Sequence, residues 1–223
     1  MERMARRTTP APPRIRALEL PDLGAGSGTP LRPFATYEAL AFTGDDLTGT
    51  ELTDVGFSAC SFAELNAHEL ELTGTRLTDC RLSRLDVPTV TAAYAALRHS
   101  LLERSRLGVL QCVEGTWDAV HVRGCKVGYL SLRGADARDV SFEDCVIGEL
   151  DLAGARVERM AFPGSEVGAL DVSGAALADV DLRGVALPEI TGPGDLRGTT
   201  VDALQLQLLA PQLAAHLGID VEA

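Results

Sequence analysis

Every fifth residue from Phe42 to Leu187 is apolar almost without exception. The column runs from Phe42, Leu47, Leu52, Phe57 and Phe62 through to Phe162, Val167, Val172, Leu177, Leu182 and Leu187. Its 30 members show no phase slip and 25 of them are Leu, Val, Ile or Phe, so the register belongs to the fold and not to chance. Neither a helix of period 3.6 nor a flat strand of period 2 holds a five-residue register over such a length. A second column of smaller residues lies two positions earlier, among them Val55, Cys60, Thr75, Cys80, Ala95, Ser100, Val120, Cys125, Val140 and Cys145. A chain that buries two of every five residues turns a corner about every five residues, and four corners close a square.

A period of twenty overlies the five in the second half. Leu107-Gly108-Val109-Leu110, Val127-Gly128-Tyr129-Leu130, Ile147-Gly148-Glu149-Leu150 and Val167-Gly168-Ala169-Leu170 align, and Gly-Ala recurs at 134, 154 and 174. Residue n is therefore expected above residue n−20. Gly at fixed corners is expected where the backbone takes positive φ or approaches its neighbour closely.

These residues resemble the pentapeptide-repeat family, whose unit is written A-[D/N]-L-x-x. Ala135-Asp136-Ala137-Arg138-Asp139, Cys60-Ser61-Phe62-Ala63-Glu64 and Ala155-Arg156-Val157-Glu158-Arg159 come close to that unit. The resemblance covers residues 42–187 and implies an all-β solenoid, a right-handed quadrilateral β-helix. Seven coils at about 4.8 Å would make a rod of roughly 35 Å. Residues 1–41 read as an arm, partly disordered, that adds an edge segment near Tyr37 to Leu40. Residues 188–223 read as a helical cap, because the open strand edges of a solenoid need covering. Thr199 or Thr200 would N-cap that helix, Leu204 and Leu208 would form its apolar face, Pro211 would interrupt it or start a second turn, and Gly218 would close it. Residues 88–106 carry an Ala-rich run with helical spacing. They form either a continuous coil with a bulge or a twenty-residue excursion.

The composition has 4% aromatics and 22 Gly, which suits a repeat better than an ordinary globule. The net charge is −12, and residues 42–187 supply 23 acids against 13 bases, which argues against direct nucleic-acid binding. No run reaches the roughly 18 apolar residues of a membrane span, and residues 1–17 lack the apolar stretch of a secretory signal. A cytoplasmic chain with reduced thiols is expected, since the five cysteines form no C-x-x-C pair.

Enzyme signatures are nearly absent, and no catalytic residue, cofactor or metal is expected. His68, His99, His121 and His216 are scattered without metal-ligand spacing. Residues 24–28, Gly-Ala-Gly-Ser-Gly, lack the Lys and following helix of a phosphate loop. Cys112 and Trp117 fall in the inward column and read as core. Asp151 and Asp171 lie one coil apart on a wall without a cleft, which favours a solvated acidic ladder over acid-base chemistry.

An acidic cylinder can mimic duplex phosphates and fit a basic DNA-binding groove. The resemblance sharpens this expectation, because the family includes bacterial proteins that bind DNA gyrase and protect it from fluoroquinolones or natural gyrase poisons, an antibiotic-resistance activity. Asp136, Asp139, Asp144, Asp151, Asp171, Asp179 and Asp181 are the expected outward contacts. Acidic outer positions also keep a repeat protein soluble. The other reading is a structural scaffold that binds an unknown partner through its ends or through Tyr94, Arg98 and His99. Leu204, Leu208, Leu213 and Leu217 supply more apolar surface than one coil end needs, so a homodimer through the C-terminal end is expected.

Overall fold

The computed structural model describes residues 9–186 and 188–221. Leu187, the last member of the apolar column, lies outside the described residues, as do residues 1–8 and 222–223. The chain is a β-solenoid of about nine turns with a single C-terminal helix. Four pentapeptides make each turn. Leu97 pairs with Leu77 on one side and Trp117 on the other, and Leu150 lies between Leu130 and Leu170.

The turn count exceeds the expected seven because parallel pairing continues past both ends of the apolar column. Gly24–Ala25 pairs with Leu40–Ala41, Thr36–Glu38 pairs with Gly56–Ser58, and Thr199–Thr200 pairs with Val180–Asp181. At about 4.8 Å per turn the rod is roughly 43 Å long.

Four walls follow from the register, each named by its inward column. Wall 1 carries Phe57, Leu77, Leu97, Trp117 and Val157; wall 2 carries Phe42, Phe62, Leu102, Val122 and Phe142. Wall 3 carries Leu47, Val87, Leu107, Val127 and Ile147; wall 4 carries Leu52, Cys112, Leu132 and Leu152. Walls 1 and 2 belong to a 14-stranded parallel sheet, and wall 3 with the edge of wall 4 forms a 7-stranded one.

Stacking identical positions places like on like. The Phe42 and Phe62 rings stack at 5.1 Å and those of Phe142 and Phe162 at 5.3 Å. The smaller column has a polar task as well. Thr75, Ser100 and Ser165 donate their hydroxyls to the carbonyls of Leu52, Leu77 and Phe142 in the turn below, at 2.6, 3.3 and 2.8 Å. The thiols of Cys80, Cys125 and Cys145 repeat that bond at 3.5–3.6 Å. A small side chain with one donor fits there because a buried carbonyl keeps a second lone pair to satisfy. All five thiols are free and buried, and burial pushes Cys112 up to about 12.

Residues 88–106 form a continuous coil and not an excursion: Ala96–Arg98 pairs with Arg76–Thr78, and Leu101–Glu103 with Arg81–Ser83. The alanines that mimic a helical signal are core positions. Ala92 and Ala95 are buried beside Trp117, around an apolar cavity of about 50 Å³.

Both reasons for corner glycines are realised, at different corners. Gly134, Gly154 and Gly174 take φ of 65°, 67° and 66°. Gly108, Gly128, Gly148 and Gly168 do not; a Cβ on Gly128 or Gly168 would lie 2.5 Å from the carbonyl oxygen of the glycine one turn below. Other corners take positive φ without glycine, at Asp79, His99, Asp139, Arg159 and Asp179. These residues share one ridge between walls 1 and 2.

The C-terminal cap corrects the expected helix register. Helix α1 spans Ala203–His216, and Asp202 is its N-cap, in a capping box with Gln205. Neither Thr199 nor Thr200 caps it; both pair as a strand. Gln205 and Leu209 face the rod, while Leu204 and Leu208 point away. The reason is in part polar. Gln205 Nε2 donates to the carbonyls of Leu182 and Val185 at 2.5 and 2.7 Å, and Asp202 accepts the Gly184 N–H at 3.1 Å. Edge groups of the last turn set the helix face together with the burial of Leu209 and Leu213. The helix runs through Pro211, and Gly218, at φ 69°, ends it with an N–H donated to the Ala215 carbonyl.

Candidate interaction surface

Stacking brings charges from successive turns together, so each carboxylate of the surface has its own surroundings. Asp136 and Asp144 are exposed and form no ion pair among the described residues. Asp139 and Asp151 are not outward contacts. Asp139 is only 7% exposed and Arg159 beside it 4%, joined by bonds of 2.6 and 2.8 Å. That guanidinium holds the Asp139 carboxyl below the usual carboxylate range. Asp151 is 1% exposed; its oxygens accept from Arg133 Nε at 3.0 Å, the Tyr129 hydroxyl at 3.0 Å and the Ala153 N–H at 2.9 Å.

Asp171 is half-buried, 3.7 Å from Arg133, so the Asp151–Asp171 ladder shares one cation. Asp181 is paired with Arg183 at 2.6 Å, which lowers its pKa. Asp179 accepts the Ala11 N–H at 3.0 Å. Both corrections at Asp139 and Asp151 have one cause: a carboxylate stacked beside an arginine of a neighbouring turn is neutralised, which the five-residue pattern does not show but the twenty-residue period does for Arg159 on Asp139.

Wall 3 and its corner with wall 4 hold carboxylates of another kind. Asp46, Glu51, Glu69 and Asp86 are exposed and Glu71 is half-buried. Among the described residues none of the five forms an ion pair. Asp46, Asn66 and Asp86 stack in one file, and Glu51 on Glu71 in another. Neighbouring threonines orient them: Asp46 accepts the Thr48 N–H at 2.9 Å, Glu51 the Thr53 hydroxyl at 3.2 Å, and Glu71 both groups of Thr73. The sequence signal for this surface was local. Residues 42–75 contain seven acids and no Lys or Arg.

Tyr94, Arg98 and His99 lie in regular turns and not in a loop. Tyr94 is exposed on the wall 4 corner, and Arg98 is 3.6 Å from Asp118 on wall 1. His99 bonds Asp79 through Nδ1 at 2.5 Å, and its Nε2 is buried without a partner. His121 is half-buried with Nε2 2.8 Å from Glu143. No group of three or more His, Cys, Asp or Glu among the described residues is placed to hold a metal. No helix among them is long and apolar enough to cross a membrane.

The architecture so defined is a four-walled β-solenoid, mostly strand, with a helical C-terminal cap. Among solved structures, the chain is similar to QnrB1, a plasmid-mediated fluoroquinolone resistance protein. A trypsin-treated, singly substituted form of that protein matches at 15% identity and a TM-score of 0.40, over 85% of this chain and 96% of that one. A second trypsin-treated, substituted form and the full-length form match at 17% and 16% identity, with TM-scores of 0.32 and 0.28 over 86% and 80% of this chain and 99% of each of those. No protein-family model matches, and neither does any curated protein sequence.

Proposed function

We propose that this chain is a non-catalytic interaction rod that presents carboxylates to the basic DNA-binding groove of a protein partner in the cytoplasm. DNA gyrase is the partner that the pentapeptide resemblance implies, and the outcome would be inhibition of the enzyme or its protection from inhibitors. The observation that carries the reading is the unpaired acidic face made by Asp46, Glu51, Glu69, Glu71 and Asp86 on a rod of net charge −12. The rigid wall holds Glu51 and Glu71 one turn apart, about 4.8 Å, and Asp46 and Asp86 two turns apart with Asn66 between them, and a basic groove gains both rate and specificity from such a field.

The test is supercoiling by purified bacterial gyrase, with and without a fluoroquinolone, titrated with the protein. Inhibition or drug rescue is expected, weakening with added salt. The triple reversal Glu51→Lys, Glu69→Lys, Asp86→Lys should raise the half-effective concentration at least tenfold, whereas Asp151→Asn acts on a buried group and should not. No effect of the unaltered protein over a wide concentration range rejects the gyrase assignment.

A scaffold role with another partner is the second reading. It is favoured by the pairing of Asp139, Asp151, Asp171 and Asp181 with arginines of the chain itself and by the exposure of Tyr94. Replacing Tyr94, Arg98 and His99 by alanine separates the two, since loss of a partner with the wall 3 acids intact supports the scaffold.

The reading includes a two-fold dimer through α1. Leu204, Leu208 and Leu217 are 65, 67 and 70% exposed, whereas Leu213 packs against the core and contributes to the cap. Sedimentation should give a dimer at micromolar concentration and a monomer for Leu204→Asp/Leu208→Asp. A monomeric unaltered chain would remove the dimer from the proposal.

A further inference from the structure

Residues 9–24 run along the rod against the direction in which its turns accumulate. The Ala11 N–H donates to Asp179 at 3.0 Å, the Arg14 N–H donates to Asp139 at 2.8 Å, and Gly24 pairs at Leu40 near the opposite end. Between them Pro13, Ile15 and Leu18 line, with His99, Ala119 and His121, a groove of about 490 Å³. The arm therefore follows the ridge between walls 1 and 2, diagonally across the square from the acidic corner of walls 3 and 4.

The spacing of these contacts is a register. Asp179 and Asp139 are two turns apart, about 9.6 Å at the usual strand spacing. Ala11 and Arg14 are three residues apart, about 9.3 Å in a polyproline II conformation, which also returns every third residue to the same face. Pro12 and Pro13 hold the intervening φ near the value that conformation needs. Continuing the repeat places Ala17 level with His99, and both line the same groove. The ridge thus offers acceptors to two backbone N–H groups three residues apart in an extended chain, at Asp179 and Asp139. Asp139 is held in place by the buried Arg159, whose guanidinium occupies the skipped turn.

We infer that this ridge is a docking track for an extended, proline-containing segment of a protein partner, and that the chain's own arm fills it in cis. An outside segment engages Asp139 and Asp179 only when the arm lifts, so the arm sets a competition threshold. A tethered occupant acts at an effective concentration on the order of millimolar. The track uses different residues from the acidic face of the proposed function and stands or falls separately from it.

The test uses the full chain and a labelled, end-blocked peptide of residues 9–20. Ala11→Pro/Arg14→Pro removes both N–H donors while keeping the arm extended. The variant is expected to bind the peptide at least tenfold more tightly than the unaltered chain, because its own arm no longer competes. A peptide carrying the same two prolines should lose at least tenfold in binding. Trypsin cleavage after Arg16 should be at least tenfold faster in the variant. Equal peptide binding by the two proteins, undiminished binding of the proline peptide, or equal cleavage rates would each overturn the inference. Amide exchange in the unaltered chain gives a readout free of any variant: the Ala11 and Arg14 amides should exchange at least tenfold more slowly than that of Arg16, and equal rates mean the arm is not seated.

Discussion

Asp139→Ala is expected to lower the unfolding free energy by about 3–5 kcal/mol, the usual cost of removing one partner of a buried ion pair. Arg159 is 4% exposed and gives Asp139 two short bonds, so truncation leaves a guanidinium inside the ridge with its main acceptor gone. For a chain of this size that corresponds to roughly 10 °C in melting temperature. The double change Asp139→Ala/Arg159→Met should recover most of the loss, because desolvated charge and not lost attraction dominates the single variant. If the double variant is no more stable than the single one, the burial argument fails.

The pair also sets an acid limit. A folded-state pKa held low by Arg159 contributes stability in full above the ordinary carboxylate value of about 4, and loses it as pH falls through the depressed value. Denaturant titrations between about pH 5 and pH 2 should therefore show the unaltered protein losing more stability than the double variant.

Gly128→Ala should cost about 3 kcal/mol, at the upper end of the range for overpacking. Its Cβ would lie 2.5 Å from the Gly108 carbonyl oxygen, which is backbone and moves only if two turns separate. Separation weakens the parallel ladder on both sides, where Val127 and Tyr129 pair with Leu107 and Val109 below and with Ile147 and Glu149 above. Gly154→Ala is the control: φ is 67° and nothing lies within 4 Å of the added methyl, so only the left-handed backbone preference opposes it, about 1–2 kcal/mol. Urea unfolding of the two variants compares close approach with dihedral strain directly. Equal losses would show that the close approach at wall 3 costs no more than the left-handed backbone does at Gly154.

The two glycine classes mark the boundary of what a sequence discloses. Both recur every twenty residues, at different phases of the pentapeptide, but only the folded stack shows that one class takes positive φ and the other lies against the turn below. The same boundary runs through the acidic residues. Asp136 and Asp139 are three positions apart in one pentapeptide, yet one is exposed and the other lies against an arginine twenty residues away. The unpaired face was legible in principle, because residues 42–75 lack any Lys or Arg. Charge summed over the whole repeat averages that stretch away, and only charge followed along each wall shows it.

By itself the sequence determined the four-walled stack, the inward columns and the existence of a helical cap. A burial rule that repeats every five residues is local, and so it is written in every unit. The tertiary structure alone decided the extra turns at both ends, the face that α1 turns to the rod, which carboxylates remain free, and the path of the arm. The helix face and the arm path depend on a partner that occurs once, Gln205 on Leu182 and Ala11 on Asp179 across 168 residues, whereas Arg159 on Asp139 follows the twenty-residue stack. A contact made once leaves no period to read, and only the folded stack brings its two halves together.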